Sequence, residues 1–159
     1  IPWLEEAKRH IGVREVPGAK TAKTISGWLS KLGAWWADDE TAWCGVAVAA
    51  WMQAVGIQPP RAWYRAKAWL DWGNKLAAPC VGCVVVFERQ GGGHVGLVVG
   101  KDTAGRLLVL GGNQGDMVKV SPFDPSRVAG YRWPPGTPVA ANNALPVTVA
   151  AGSASRNEA

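Results

Sequence analysis

The spacing of apolar residues changes halfway along this 159-residue chain, and no other feature limits the fold as much. In the first half, apolar residues recur at the spacing of helix faces, which predicts helices over residues 3–11, 24–32, 43–55 and 62–72. In the second half, short β-branched runs end at glycine-rich turns, which predicts about five strands over residues 83–87, 94–99, 106–110, 117–120 and 128–133. Helices followed by a meander of strands predict an α+β fold with an antiparallel sheet.

The predicted helix at residues 43–55 is apolar on nearly every face, as is typical of a helix buried on all sides. We therefore expect the sheet to pack against it. The apolar run around this helix, residues 42–57, is interrupted by Gln53 and is shorter than the roughly 18 residues that a membrane-spanning helix needs. The sequence predicts no stable membrane insertion. The opening Ile-Pro-Trp has neither the basic nor the apolar region of a signal peptide.

Composition predicts one domain followed by a tail. With 48% hydrophobic residues, the chain can bury a core without disulfides. We expect residues 1–133 to form a single domain, and residues 134–159, rich in Pro, Ala, Asn and Ser, to be a tail that is mobile unless it docks. The net charge of +5 is spread from Lys8 to Arg156. This pattern lacks the dense basic stripe of a nucleic-acid binder and suits an anionic polymer such as a cell envelope.

Cys44 is the first candidate for chemistry, because it stands at the predicted start of the buried helix. The positive end of the helix dipole and the unpaired backbone N–H groups there favour the thiolate, which is the reacting form. The same N–H groups can stabilise an oxyanion, and Gly45 leaves the approach unobstructed. The alternative is that Cys44 is a small buried apolar residue.

His94 and Asn113 are candidates for a base and for the group that orients it. His94 opens a predicted strand within a glycine-rich run, and a strand holds an imidazole rigidly. If residues 95–99 and 106–110 pair as a hairpin, Asn113 lies beside His94, where its amide oxygen can fix the imidazole tautomer. Taken alone, His94 is equally well explained as a structural histidine, and Asn113 is better explained as a turn residue. With Cys44, they predict a nucleophile, a base and an orienting group.

Three motifs carry a family resemblance: Trp43-Cys44-Gly45, Gly93-His94-Val95-Gly96 and Gly112-Asn113-Gln114. They resemble the CHAP and NlpC/P60 group of papain-like peptidoglycan hydrolases, most closely a branch common in bacteriophage endolysins. The resemblance covers about residues 3–133, including the runs 12–18 and 130–133. Two positions depart from the family pattern, since Gly82 is followed by Cys83 rather than Asp, and Trp43 stands where NlpC/P60 proteins often have Asp. The second departure weakens any inference about bond specificity.

The resemblance implies a papain-like fold in which N-terminal helices, including the helix of the nucleophile, pack on the sheet. It implies a cysteine peptidase or N-acetylmuramoyl-L-alanine amidase that cleaves an amide bond in the peptide part of peptidoglycan. The nucleophile would be Cys44, the base His94 and the orienting residue Asn113, with no metal and no other cofactor. The expected partner is bacterial peptidoglycan, not nucleic acid, and we expect a monomer. A phage lysin would wait in the host cytoplasm until released to the cell wall.

Four further residues are assigned to substrate or oxyanion contacts: Trp43, Gly45, Gln114 and Glu15. The backbone N–H of Cys44 is the expected first oxyanion donor, and Gln114 is the guess for the second. Glu15 is either a cleft residue or a loop anchor. Some tryptophans are possible cleft walls, although each fits the core better: Trp35, Trp36, Trp43 and Trp63.

Two other patterns resemble metal sites without matching them. Cys80 and Cys83 are spaced as half of a zinc site, but no second pair exists. A redox motif of this spacing belongs at a helix start, whereas Cys83 opens a predicted strand. The acidic run 38–40 lacks the alternating ligands of a calcium loop, and we interpret it as a solvated segment that helps cap the next helix.

Three alternatives to a wall hydrolase stay open. A transpeptidase and an interbacterial amidase toxin would use the same scaffold and the same cysteine chemistry. A non-catalytic cell-wall binding module would use a tryptophan-rich surface. A binding module has no use for a Cys–His–Asn set, so the sequence favours catalysis.

Overall fold

The computed structural model describes residues 1–15, 23–34, 43–89, 92–139, 144–152 and 154. Trp35, Trp36, the acidic run 38–40 and part of the 12–18 motif lie outside the described residues. Within them, three α-helices precede a mainly antiparallel sheet. The helices are α1 (Pro2–Lys8), α2 (Lys23–Lys31) and α3 (Cys44–Ala54). The strands are β1 (Asn74–Leu76), β2 (Val84–Arg89), β3 (Gly92–Asp102), β4 (Leu107–Gly111), β5 (Lys119–Phe123), β6 (Val128–Trp133) and β7 (Val147–Thr148).

The sheet has the strand order β1-β6-β2-β3-β4-β5, so that β3 lies inside the sheet. All neighbours in this order are antiparallel, and β7 adds a short parallel pairing to the end of β3. The predicted hairpin is confirmed, because β3 and β4 pair with Leu97 opposite Leu110. The hairpin brings the start of β3 and the end of β4 to the same side of the molecule.

Helix α3 is the centre of the core. Every residue from Cys44 to Met52 is buried, as expected for a helix with no polar face. It packs on β3 and β4 on one side and on α1 and α2 on the other. Each large apolar side chain buried here contributes roughly 1.5–3 kcal/mol. The sheet and the two outer helices thereby fix the position of the first residue of α3. None of the described helices is long and apolar enough to span a bilayer.

The sequence predicted a mixed helix and sheet fold correctly, but two expectations about its elements were wrong. The sheet has seven strands rather than about five, because β1 and β7 are too short to leave a pattern. The predicted helix at 62–72 is a 3₁₀ helix over Ala66–Asp71. Residues three apart share one face of a 3₁₀ helix. Trp69 and Trp72 are both buried, with ring centroids 4.9 Å apart.

Part of the predicted tail docks on the domain. β7 pairs with Lys101 and Asp102 at the end of β3. The guanidinium of Arg106 donates to the carbonyls of Gly152, at 2.7 Å, and Ala151, at 3.2 Å. Residues 144–152 therefore meet the condition of docking under which the tail was not expected to be mobile.

Candidate active site

Cys44 is the first residue of α3 and is only 4% exposed. The preceding residue, Trp43, does not cap the helix with its side chain. The N–H groups in the first turn of a helix have no partner within the helix. Cys44 therefore lies at the positive end of α3, as the sequence predicted.

The thiol of Cys44 is close enough to His94 and to the backbone of Val95 on β3 to interact with both. Burial by itself would raise the pKa of the Cys44 thiol. The hydrogen bond and the charge of His94 oppose this effect, as do backbone hydrogen bonds from Val95 and Gly45, and the pKa falls below its usual value. The reacting thiolate is thus favoured, even though the residue is buried.

His94 is held in a stack of aromatic rings. It is fully buried and lies opposite Phe87 of the neighbouring strand β2. Its ring stacks on Phe123 with 5.3 Å between centroids and an angle of 13°. Phe123 in turn stacks on Phe87 at 4.6 Å, and the guanidinium of Arg127 lies 5.9 Å from both phenyl centroids. The stack fixes the plane of the imidazole. No sequence signal pointed to these phenylalanines.

Gln114 fixes the tautomer of His94. Nε2 of His94 lies 2.9 Å from Oε1 of Gln114. The amide nitrogen of Gln114 donates to the carbonyls of Val109, at 3.0 Å, and Lys119, at 2.8 Å. Because both N–H bonds of Gln114 are used in this way, Oε1 is the atom that accepts from His94, and Nε2 carries the proton. In a neutral ring, Nδ1 is then the nitrogen that can accept a proton from a thiol.

This network corrects two expectations. The Nε2 acceptor is Gln114, whereas the sequence assigned the orienting contact to Asn113. Gln114 also cannot be the second oxyanion donor, because its N–H groups bond to backbone carbonyls.

Asn113 is instead buried in the turn after β4, with a left-handed φ of 58° that asparagine tolerates. The turn directs the side chain of the following residue, Gln114, back between β4 and β5. Gly-Gly-Asn is a common turn composition, but it does not show which of Asn113 and Gln114 points inward.

Glycines let α3 and the end of β4 approach closely. A side chain on Gly45 would collide with the carbonyl of Trp63. A Cβ on Gly112 would lie 2.7 Å from that of Ala47 in α3. A Cβ on Gly111 would occupy the position of the Gln114 carboxamide. Gly45 and Gly112, which belong to two of the three motifs, are therefore required for close packing around Cys44 and His94.

Trp43 and Glu15 bond to each other beside the nucleophile. The Trp43 indole donates to the Glu15 carboxylate at 3.2 Å, and Trp43 is buried. The backbone N–H of Glu15 donates to Asp116 at 3.0 Å. Glu15 is thus a loop anchor rather than an open cleft residue. Trp63 is also mostly buried. Of the tryptophans suggested as cleft walls, the two that the structure describes, Trp43 and Trp63, therefore do not form an exposed wall.

A cavity of about 610 Å³ lies near the other end of α3, away from Cys44. Its lining comes from α1, α2, α3 and the residues just after α1, and includes Trp28, Gln53 and His10. His10 is half-buried against Trp28, with 5.2 Å between ring centroids. Among the described residues, no cluster of three metal-ligating side chains occurs.

No protein-family model matches the chain, and no curated protein matches it. The functional assignment of Cys44, His94 and Gln114 therefore depends on their chemistry and on the motifs that contain them.

Proposed function

We propose that this chain is a cysteine amidohydrolase that cleaves an amide bond in the peptide part of bacterial peptidoglycan. The observation that carries the proposal is the arrangement of Cys44, His94 and Gln114. A helix-start thiol contacts an imidazole, and the far nitrogen of that imidazole is bonded to a fixed carboxamide. Nucleophilic catalysis needs these three roles in this order: nucleophile, base and orienting group.

In the proposed reaction, His94 takes the proton of Cys44, and the thiolate attacks the carbonyl carbon of the amide. The oxyanion binds to the backbone N–H of Cys44 at the positive end of α3. His94 then gives its proton to the leaving amine, and water releases the acyl group from the sulfur. Gln114 orients His94 throughout and does not react.

The substrate class rests on the resemblance of the motifs to the CHAP and NlpC/P60 hydrolases. We extend the proposal to the fold: a cysteine-bearing helix packed on a histidine-bearing antiparallel sheet is the papain-like arrangement. The net charge of +5 favours association with an anionic wall. Such a protein works at the cell wall, and the location of the chain before then depends on its source.

Digestion of purified peptidoglycan by the wild type and by Cys44→Ser tests the proposal, with mass analysis of the released fragments. Cys80→Ser is the matched control, because it removes a thiol outside the site. We expect the wild type and Cys80→Ser to release peptide fragments and Cys44→Ser to release almost none. The fragment masses identify the bond that is cut.

Two outcomes overturn the proposal. Equal release by the wild type and Cys44→Ser would mean that Cys44 is not the nucleophile. Binding of all three proteins to sacculi without any release would favour a binding module. In the same assay, an added amine that appears in the fragments would identify acyl transfer rather than hydrolysis.

A further inference from the structure

Cys80 and Cys83 form the two ends of a tight turn before β2. The backbone N–H of Cys83 donates to the carbonyl of Cys80 at 3.1 Å. Gly82 at the third position has φ of 88°, as a type II turn requires. A turn of this kind brings its first and fourth Cα atoms within about 7 Å, and a disulfide needs about 4.4–6.8 Å. The backbone therefore places the two cysteines at disulfide distance.

The two thiols are also close enough to interact. Hydrogen bonding to the Cys80 thiol, followed by burial, raises the pKa of the Cys83 thiol strongly. Cys83 is fully buried, whereas Cys80 is half-buried and within reach of a small oxidant. The accessible thiol thus lies directly beside the inaccessible one.

The turn is held in place from both sides. The N–H of Gly82 donates to the carbonyl of Val98 at 2.7 Å, and the N–H of Val98 donates to Cys83 at 2.9 Å. The indole of Trp3 donates to the carbonyl of Gly82 at 2.7 Å. The preorganised turn lowers the entropic cost of bringing the sulfurs together.

The turn is separate from the candidate active site. Val84, which follows Cys83, pairs with Leu97, and Leu97 lies three residues beyond His94 on β3. At the spacing of residues along a strand, Leu97 is about 10 Å from His94.

We propose that Cys80 and Cys83 are an oxidisable pair that closes to a disulfide when the folded chain meets a disulfide oxidant such as oxidised glutathione. The Cys80 thiolate attacks one sulfur of the oxidant, and one glutathione thiolate leaves. Cys83 gives its proton to the glutathione thiolate that has left, and its sulfur attacks the Cys80 sulfur of the mixed disulfide. The second glutathione leaves as a thiolate and takes up a proton from solvent. The two protein thiols are oxidised, and one glutathione disulfide is reduced to two thiols.

This pair serves as a staple rather than a catalytic redox motif. The closed bond ties the turn at the start of β2 in compartments outside the cytosol, where disulfides persist. Cys80 and Cys83 have no role in the proposed hydrolysis, so the inference does not depend on the proposed function.

The test uses the full chain with Cys44→Ser, which leaves Cys80 and Cys83 as the only thiols. The protein is equilibrated with oxidised glutathione, quenched, alkylated and weighed intact. We expect a mass about 2 Da below that of the reduced protein and no alkylation. The reduced protein should take up two alkyl groups. A double variant that also carries Cys80→Ser should not show the loss of 2 Da.

Two results would overturn the pairing. One is a lasting glutathione adduct, about 305 Da per thiol, without closure. The other is full alkylation after oxidation. If Cys44→Ser does not fold, peptide mapping of the oxidised wild type gives the same readout. A peptide pair linked through Cys80 and Cys83 supports the proposal, and linkage of either residue to Cys44 contradicts it.

Discussion

At the scale of single residues, Gln114 makes hydrogen bonds in three directions, to His94, Val109 and Lys119. We expect Gln114→Ala to lower kcat by about 10–100-fold, because His94 loses the acceptor that fixes its tautomer. The two carbonyls left without a donor should lower the free energy of unfolding by roughly 1–3 kcal/mol. Fragment release and urea unfolding measure the two effects separately.

Asn113→Gly is the matched control for that variant. Glycine accepts the φ of 58° at this position, so the change removes the side chain and leaves the turn intact. It should retain most of the activity. If Asn113→Gly lost more activity than Gln114→Ala, the orienting role would return to Asn113.

The thiol of Cys44 should titrate below an ordinary thiol, because His94 and two backbone hydrogen bonds outweigh burial. In wild type, alkylation of Cys44 by iodoacetamide should therefore reach its half-maximal rate at a lower pH than that of a free cysteine. In His94→Ala the effect of burial is unopposed by the imidazole, so this midpoint should rise. Peptide mass mapping across a pH series follows Cys44 separately from the other two cysteines.

His10→Ala removes the other histidine, which bonds to Glu6 and lies on Trp28. It should leave the midpoint for Cys44 unchanged. An unchanged midpoint in His94→Ala would mean that the imidazole does not control the thiol.

The sequence was sufficient to predict that Cys44 begins α3 and that His94 lies near the start of β3, because neighbouring residues define both elements. It was not sufficient to choose between Asn113 and Gln114. That choice depends on the left-handed φ of Asn113, which turns the next side chain back towards the sheet. Adjacent polar residues in a turn leave the same composition signal whichever of them points inward.

At the scale of elements, the end of β4 lies beside the side chains of the site, and Gly111 is the residue of β4 next to Gln114 and His94. Gly111→Ala places a methyl group where the Gln114 carboxamide lies. We expect the variant to fold with reduced stability and to lose most of its activity, since the bond from His94 to Gln114 cannot form. Fragment release and thermal unfolding measure both effects.

Gly27→Ala is the comparison variant for the same substitution. Gly27 lies in α2 with no atom near its added Cβ and no positive φ. Alanine there should stabilise the protein by about 0.5–1 kcal/mol and leave activity unchanged. Equal losses in both variants would show that the effect at Gly111 is not specific to the site.

The long elements were predictable because periodicity records burial. α3 is buried along its whole first two turns, and its apolar sequence shows no polar face. β1 and β7 were not predictable, because they span three and two residues and exist only through pairing with β6 and β3. The 3₁₀ helix was mistaken for an α-helix because Trp69 and Trp72 fit the apolar spacing of either type.

At the scale of the whole molecule, the chain after β6 returns to the sheet. Nothing in its Pro- and Ala-rich composition predicts a docking position, because the contacts are mainly with backbone atoms. Two side chains add to these contacts, Thr103, whose hydroxyl accepts from the N–H of Ala150 at 2.9 Å, and Arg106. Its Nε donates to Asp102 at 2.8 Å, and its terminal nitrogens donate to Gly152 and Ala151. One side chain at the end of the β3–β4 hairpin thus binds both the turn and the C-terminal segment.

We expect Arg106→Ala to release residues 144–152 while leaving the candidate active site intact. The β3–β4 turn lies at the end of the hairpin opposite His94 and Gly111. Limited proteolysis with intact mass analysis should show C-terminal trimming several times faster than in wild type, with unchanged fragment release from peptidoglycan. Lys101→Ala is the control, since Lys101 pairs with Val147 through its backbone and its side chain is exposed. Equal trimming of Arg106→Ala and wild type would mean that strand pairing and the Thr103 hydroxyl hold the segment without Arg106. Lost activity would mean that docking supports the site.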